Sequence, residues 1–306
     1  FFDPQSITDS DITSTLFTGD WDGRIVGSDL GDNTLEITQG TGGNQPVADK
    51  YKLTFADDND HLLFGVPYTP PFPAGQDKAW QIVGTSLGTF AYKINNNSQT
   101  ELNLLGNLGY AAYRQAGDLY GIILLPETAT GADIEAARKL LIDRGAADGA
   151  ASTHISDYFR GRGDIVEFNY VNLDSVTHAS QLFGGATNVQ RFNVPSMPNA
   201  VAMNSAWEQN ALRSFTTQLP KAEVVSHAWY NNTELESFSV DLPEATSLRY
   251  AWYGCSSLAS IPALDMSKGT NFESAWQGNT ALASIDANAK LGTAASNVNF
   301  SNAFYA

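Results

Sequence analysis

The sequence predicts a mainly β protein in three parts: a β-sandwich or jelly-roll-like domain over 1–128, one helix with its connector over 129–152, and a C-terminal solenoid over 153–306. Two observations carry this. Short segments of alternating polarity, set between turn signals, fill the first part. In the last part a large aromatic returns at Phe159, Phe183, Trp207, Trp229, Trp252 and Trp276, with Phe304 closing the series. The steps are 24, 24, 22, 23, 24 and 28 residues, too short for two-helix repeats and inside the leucine-rich repeat window. Roughly six coils follow from this period, each able to bury its apolar edge only against its neighbours.

In the first part, strands are expected at 24–26, 34–38, 51–55, 62–66, 80–83, 89–94 and 119–125. Breaks fall at the Gly-rich 40–43, the acidic 57–60, the prolines of 70–73 and the asparagines 95–97. Strands at this spacing favour a sandwich or jelly roll. The helix is expected over 130–145. Thr130 with Asp133 forms a capping box, Ile134, Ala137, Leu140 and Leu141 share one face, and Gly145 supplies a left-handed stop.

Aligning the coils on the aromatic exposes the rest of the repeat. Six residues later stand Ile165, Val189, Leu235, Leu258 and Leu282, with Leu212 one place early. Three further on come Phe168, Phe192, Phe215, Phe238, Ile261 and Ile285, then a third apolar residue such as Tyr170, Val194 or Val240. On a short strand these point inward and successive coils pair in parallel. The residues between them, Glu167, Asn169, Gln190, Arg191, Asn193, Arg213, Thr216, Glu236, Ser237, Ser239, Ser260, Pro262, Ser284 and Asp286, then form a mostly polar outward face. Such a face suits binding by many modest hydrogen bonds. Three residues after the aromatic lie Arg162, Ala186, Asn210, Asn232, Cys255 and Asn279. Asn210, Asn232 and Asn279 are expected to form a turn ladder that bonds backbone groups left open by the curvature, with Cys255 as a small member of it rather than a nucleophile. The aromatics are read as core, because each ring buries a large area.

The stretch Ala251-Trp252-Tyr253-Gly254-Cys255-Ser256-Ser257-Leu258, followed by Leu264-Asp265-Met266-Ser267 and Gly269-Thr270-Asn271-Phe272, resembles BspA-type leucine-rich repeats of bacterial surface proteins. The Ala-Trp repeat start looks most like the repeats in virion proteins of marine cyanobacterial phages. The likeness covers roughly the C-terminal half. Asn dominates the slot where the family favours Cys, and the last coil is four residues longer. Ending just after a repeat start, the chain shows no cap, so a partner, another copy or further residues are expected to cover that edge. The resemblance implies surface exposure, adhesion or assembly, and no enzyme.

Composition narrows the partners. Acidic residues outnumber basic ones 33 to 17, giving a net charge of -16, which excludes a nucleic-acid partner and disfavours anionic lipid. With no run of about 18 apolar residues and no charged-then-apolar opening, neither a membrane span nor a secretory signal is expected. The single Cys255 excludes a disulfide within the chain. No cofactor and no metal is expected.

Four motifs take local readings. Gly84-Thr85-Ser86-Leu87-Gly88 matches the nucleophile-elbow pattern, but 89–94 alternates like a strand where the mechanism needs a helix, so it reads as a hairpin turn. Arg162-Gly163-Asp164 spells an adhesion tripeptide, yet in this frame it is the turn into a strand. Asp57-Asp58-Asn59-Asp60 and the acids Asp20 and Asp22 lack EF-hand spacing, and the first reads as a solvated hairpin tip. His178 and His227 precede the aromatic by repeat position, not by convergence.

The expected function is a non-enzymatic phage virion protein at the particle surface, made in the host cytoplasm. The first domain anchors it and the repeat face contacts the host envelope or other virion proteins. Tail-fibre-like adhesin and capsid decoration protein are the two versions, with a homo-oligomer expected in either. A fibre polysaccharide hydrolase or a bacterial adhesin are the rival classes. No spacing picks out the paired carboxylates that a glycosidase needs.

Overall fold

The computed structural model describes residues 35–38, 47–49, 52–55, 61–64, 78–86, 88–95, 101–102, 117–169, 172–293 and 297–305. The expected strand at 24–26, the turns at 40–43, 57–60 and 70–73, and the residues Asp20, Asp22 and Tyr170 lie outside them. The described residues are mainly β with a single helix. The chain divides into two compact units, Phe1–Ala151 with Asn169–Val171, and Ser152–Phe168 with Asn172–Ala306.

In the first unit the strands are β1 (Leu35–Thr38), β2 (Val47–Asp49), β3 (Lys52–Phe55), β4 (His61–Phe64), β5 (Lys78–Thr85), β6 (Gly88–Asn95), β7 (Glu101–Leu102) and β8 (Gly117–Pro126). All pair antiparallel, in one run β1-β4-β7 and another β6-β5-β8-β3-β2. Strands β2 and β7 were not legible beforehand. Asn95, expected as a break, is the last residue of β6 because its partner Lys78 extends the hairpin to that point.

Helix α1 (Gly131–Asp143) starts at Thr130, whose side-chain oxygen accepts from the Asp133 amide while the Asp133 carboxylate accepts from the Thr130 amide. At the far end Gly145, at φ 115, lets its own amide reach Ile142 and the Ala146 amide reach Leu141, a Schellman stop. Ile134, Ala137 and Leu141 are buried against Trp80, Ile82, Ala91 and Ile123. Leu140, expected on that face, is 45% exposed, since it lies about 100° behind Leu141 around the axis. Arg138 takes the remaining buried position and neutralises its charge on Glu135 at 2.7 Å and Asp148 at 2.8 Å. Gly84 has no Cβ for a packing reason: one placed there would sit 2.7 Å from the Leu141 Cβ. The connector after the helix is pinned to the hairpin by Ala147 donating to the Thr85 carbonyl and Thr89 donating to the Gly149 carbonyl.

In the second unit the chain winds through β9 (Ile165–Asn169), β10 (Arg191–Asn193), β11 (Ser214–Phe215), β12 (Ser237–Phe238), β13 (Ser260–Ile261), β14 (Asp265–Met266), β15 (Ser284–Ile285) and β16 (Lys290–Leu291). Parallel bridges link His154, His178, Ala202, Val224, Ser247, Asn271 and Asn299 in unbroken succession. A second ladder runs through the aromatic turns. The amides of Phe183, Trp207, Trp229, Trp252 and Trp276 donate to Ala206, Ala228, Ala251, Ala275 and Ala303 in the following coil, at 2.7–2.9 Å.

Two columns of rings interlock, buried except at Phe304. Trp207, Trp229, Trp252, Trp276 and Phe304 stack face to face at 5.2–5.6 Å. Phe168, Phe192, Phe215 and Phe238 form the second column, and Trp207, Trp229 and Trp252 meet it edge-on at 4.5–5.2 Å. Both geometries are favoured by the ring quadrupole. Phe159, Phe183, Trp207, Trp229, Trp252 and Trp276 are buried.

Two expectations need correction. The inward strands were expected to pair along the whole stack, but they pair in pieces: β9 with β10, β11 with β12, β13 with β15. At the break after β12 the amide that would reach the Phe238 carbonyl belongs to Pro262, which has no N–H; one coil earlier Ser239 makes the equivalent bond to Phe215. Ile285, expected inward, is 42% exposed, because among the described residues no strand pairs with β15 on the side away from β13. Leu282 is only half-buried for the same reason.

Candidate binding surfaces

The outward face forms because each short strand turns one residue in and the next out. Phe192, Phe215 and Phe238 are buried, while Arg191, Asn193, Arg213, Thr216, Glu236, Ser237 and Ser239 are exposed. Glu167 and Asn169 are half-exposed. Three of these come together: the Glu167 carboxylate accepts from Asn193 Nδ2 at 2.8 Å and faces Arg191 Nη1 at 3.7 Å. Arg213 instead turns to Glu234, at 3.3 Å. The register sets Ser237 beside Ser214, and the Glu236 amide bonds the Arg213 carbonyl. The face is therefore a row of charged and hydroxyl groups held at the spacing of the rungs, about 4.8 Å. Exposed ion pairs of this kind add little stability.

The turn ladder is built beneath it. Asn210 Nδ2 donates to the Phe183 carbonyl at 2.7 Å, Asn232 Nδ2 to Trp207 at 2.7 Å, and the Cys255 thiol to Trp229 at 3.1 Å. Each member thus bonds the carbonyl of the ring residue one coil earlier. Burial pushes the Cys255 thiol up to about 12, which removes the thiolate a nucleophile requires. Asn279 departs from the pattern: neither amide atom has a hydrogen-bond partner, although the residue is buried. Arg162 departs differently, by folding back onto Asp164 with Nε to Oδ1 at 2.8 Å and Nη2 to Oδ2 at 2.7 Å, both side chains buried. The two charged ends of the adhesion-like tripeptide are thus bound to each other.

Among the other motifs, the segment around Gly84 closes the β5–β6 hairpin, with Thr85 opposite Gly88. The acids at 57–60 lie outside the described residues. His178 stacks on His154, ring centroids 4.2 Å apart, and each Nδ1 lies 2.9 Å from the hydroxyl of the preceding threonine. Among the described residues no group of three or more His, Cys, Asp or Glu is placed to hold a metal ion, and no helix is long and apolar enough to cross a membrane.

A second surface escaped the sequence reading. Two residues before each core aromatic the backbone is left-handed, at φ of 52–64°, and the occupants are Asp157, Gln181, Ser205, His227, Tyr250, Ser274 and Asn302. That conformation costs a residue with a side chain about 1–2 kcal/mol. His227 and Tyr250 are the bulky exceptions, and their rings stack at 4.9 Å. One residue after the aromatic, the same two coils carry Tyr230 and Tyr253, stacked at 4.8 Å, where preceding and following coils carry Glu208 and Gln277. Arg249 lies over the Tyr250 ring at 4.6 Å and bonds Glu273. Partial burial depresses the His227 pKa and raises that of Tyr230, with the Glu208 carboxylate felt by both. The available signal was that two consecutive coils carry an aromatic at both outward slots, whereas the coils on either side carry none at either. Alignment on the core ring alone hides it.

No protein-family model matches this chain, and no curated protein or solved structure shows significant similarity to it.

Proposed function

We propose that this chain is a non-enzymatic virion surface protein whose C-terminal half is a leucine-rich repeat solenoid of BspA type. Its outward strand face contacts the host envelope or a neighbouring subunit, and its N-terminal half, a β-sandwich-like domain with the helix, anchors it to the particle. The observation that supports the reading is the run of parallel bridges from His154 to Asn299 together with the stacked rings. Such a rod spaces identical outward slots at rung distance and presents them without further ordering, which lowers the entropic cost of binding. The residue pattern around Trp252 supports the phage assignment. A homo-oligomer is part of the proposal, because virion parts repeat by symmetry.

Gold-labelled antibody against the chain, applied to intact particles, tests the location. A few labels at the tail mark an adhesin and labelling over the whole shell marks a decoration protein; unlabelled particles refute the virion role. Preincubating host cells with the purified chain should block particle adsorption, and the double variant Arg191→Ala/Arg213→Ala should block it less. New reducing ends after incubation with envelope polysaccharide would replace the binding-only reading by a hydrolase.

A further inference from the structure

Coils starting at Trp229 and Trp252 carry a surface cluster of four rings that no neighbouring coil repeats, on the turn side rather than the strand face. We propose that this cluster binds a neutral glycan chain lying along the stack. Tyr230 and Tyr253 repeat at 4.8 Å and His227 and Tyr250 at 4.9 Å, close to the advance per sugar of an extended pyranose polymer, so successive sugars meet equivalent groups.

The chemistry on offer fits hydroxyl-rich ligands. Phenol oxygens donate and accept, and the Glu208 and Glu273 carboxylates accept. Around the cluster Glu208 and Glu273 outweigh Arg249 by one negative charge, which together with the chain's net -16 selects neutral over anionic polymers. An obligate, hydrophobic protein interface would call for further apolar side chains beside the rings. Among the described residues the large exposed apolar side chains are Leu140 on the helix and Ile285, Phe300, Phe304 and Tyr305 at the last coil, all outside the cluster. The site is also pre-organised. Its rings are mutually stacked, and their backbone is held by the bonds from His227 to Arg249, Asn231 to Tyr253 and Tyr250 to Glu273. The proposal does not depend on the virion role or on the strand face.

The test is affinity electrophoresis of the full chain through gels containing dextran, mannan, glycol chitin or alginate. At least one of the three neutral polymers should retard it, and alginate should not. The variant Tyr230→Phe/Tyr253→Phe removes only two hydroxyls and should weaken retention roughly tenfold, while Tyr230→Ala/Tyr253→Ala should abolish it. Near-ultraviolet circular dichroism checks that both remain folded, and the strand-face variant Arg213→Ala/Glu236→Ala should be retained like the parent chain. Free migration through all three neutral gels, equal retention in alginate, or undiminished retention of both folded tyrosine variants overturns the proposal.

Discussion

The Asn and Cys side chains of the turn ladder show how one slot can be filled by different chemistry for one purpose. Asn232 donates to Trp207 and also receives the Leu212 amide at 3.4 Å, so Asn232→Ala strands a buried donor and a buried acceptor. Denaturant unfolding should show a loss of about 2–3 kcal/mol. Cys255 makes the same connection with a thiol whose folded pKa is raised. Because the native state holds that proton more tightly than the unfolded chain, its contribution is complete below the ordinary thiol range and falls away as pH rises toward about 12. Between pH 8.5 and 10.5 the native chain should therefore lose more stability than Cys255→Ala, and a thiol reagent at pH 8 should react only once the chain unfolds. Prompt labelling of the folded protein would contradict the buried-ladder role.

At the scale of elements, the helix and the strand beneath it share a close approach. Thr130→Ala removes the reciprocal cap and should lower stability by about 1 kcal/mol. Gly84→Val forces a side chain into Leu141 and should cost about 1–3 kcal/mol, whereas Leu140→Lys, on the outward side, should stay within about 0.5 kcal/mol. Melting curves of the three variants rank them, and a damaging Leu140→Lys would place the helix face wrongly. The cap, the Gly145 stop and most strands of the first unit were legible because they depend on neighbours in sequence. Strands β2 and β7 were not: short extended segments acquire their identity from the partner across the ladder. The broken pairing at Pro262 was visible as a residue type, but its effect follows only from which carbonyl lies one coil below.

Across the whole molecule, the second unit's stability is shared along the ring columns. Trp229 touches a ring in the coil on each side and Phe215 and Phe238 in the other column. Trp229→Ala should cost about 3–5 kcal/mol and broaden the unfolding transition, since loss of one rung weakens both flanking interfaces. Trp229→Phe should cost distinctly less, because the indole Nε1 is buried with no hydrogen-bond partner and its removal relieves that penalty. Equal losses for the two variants would mean that ring area is not what holds the stack.

The regular return of one aromatic, read from the sequence alone, determined a mainly β chain with a polar outward row and an Asn or Cys slot behind the rings from Trp207 to Trp276. Those features repeat with the coil, and periodicity is information a linear sequence carries. The tertiary structure alone decided which repeated positions meet: that Arg162 closes on Asp164, that the Asn279 side-chain amide finds no hydrogen-bond partner, and that four surface rings gather on two adjacent coils. Contacts between coils join residues some twenty-odd positions apart, and a single residue's choice of partner depends on the register and curvature of the stack rather than on its own neighbours.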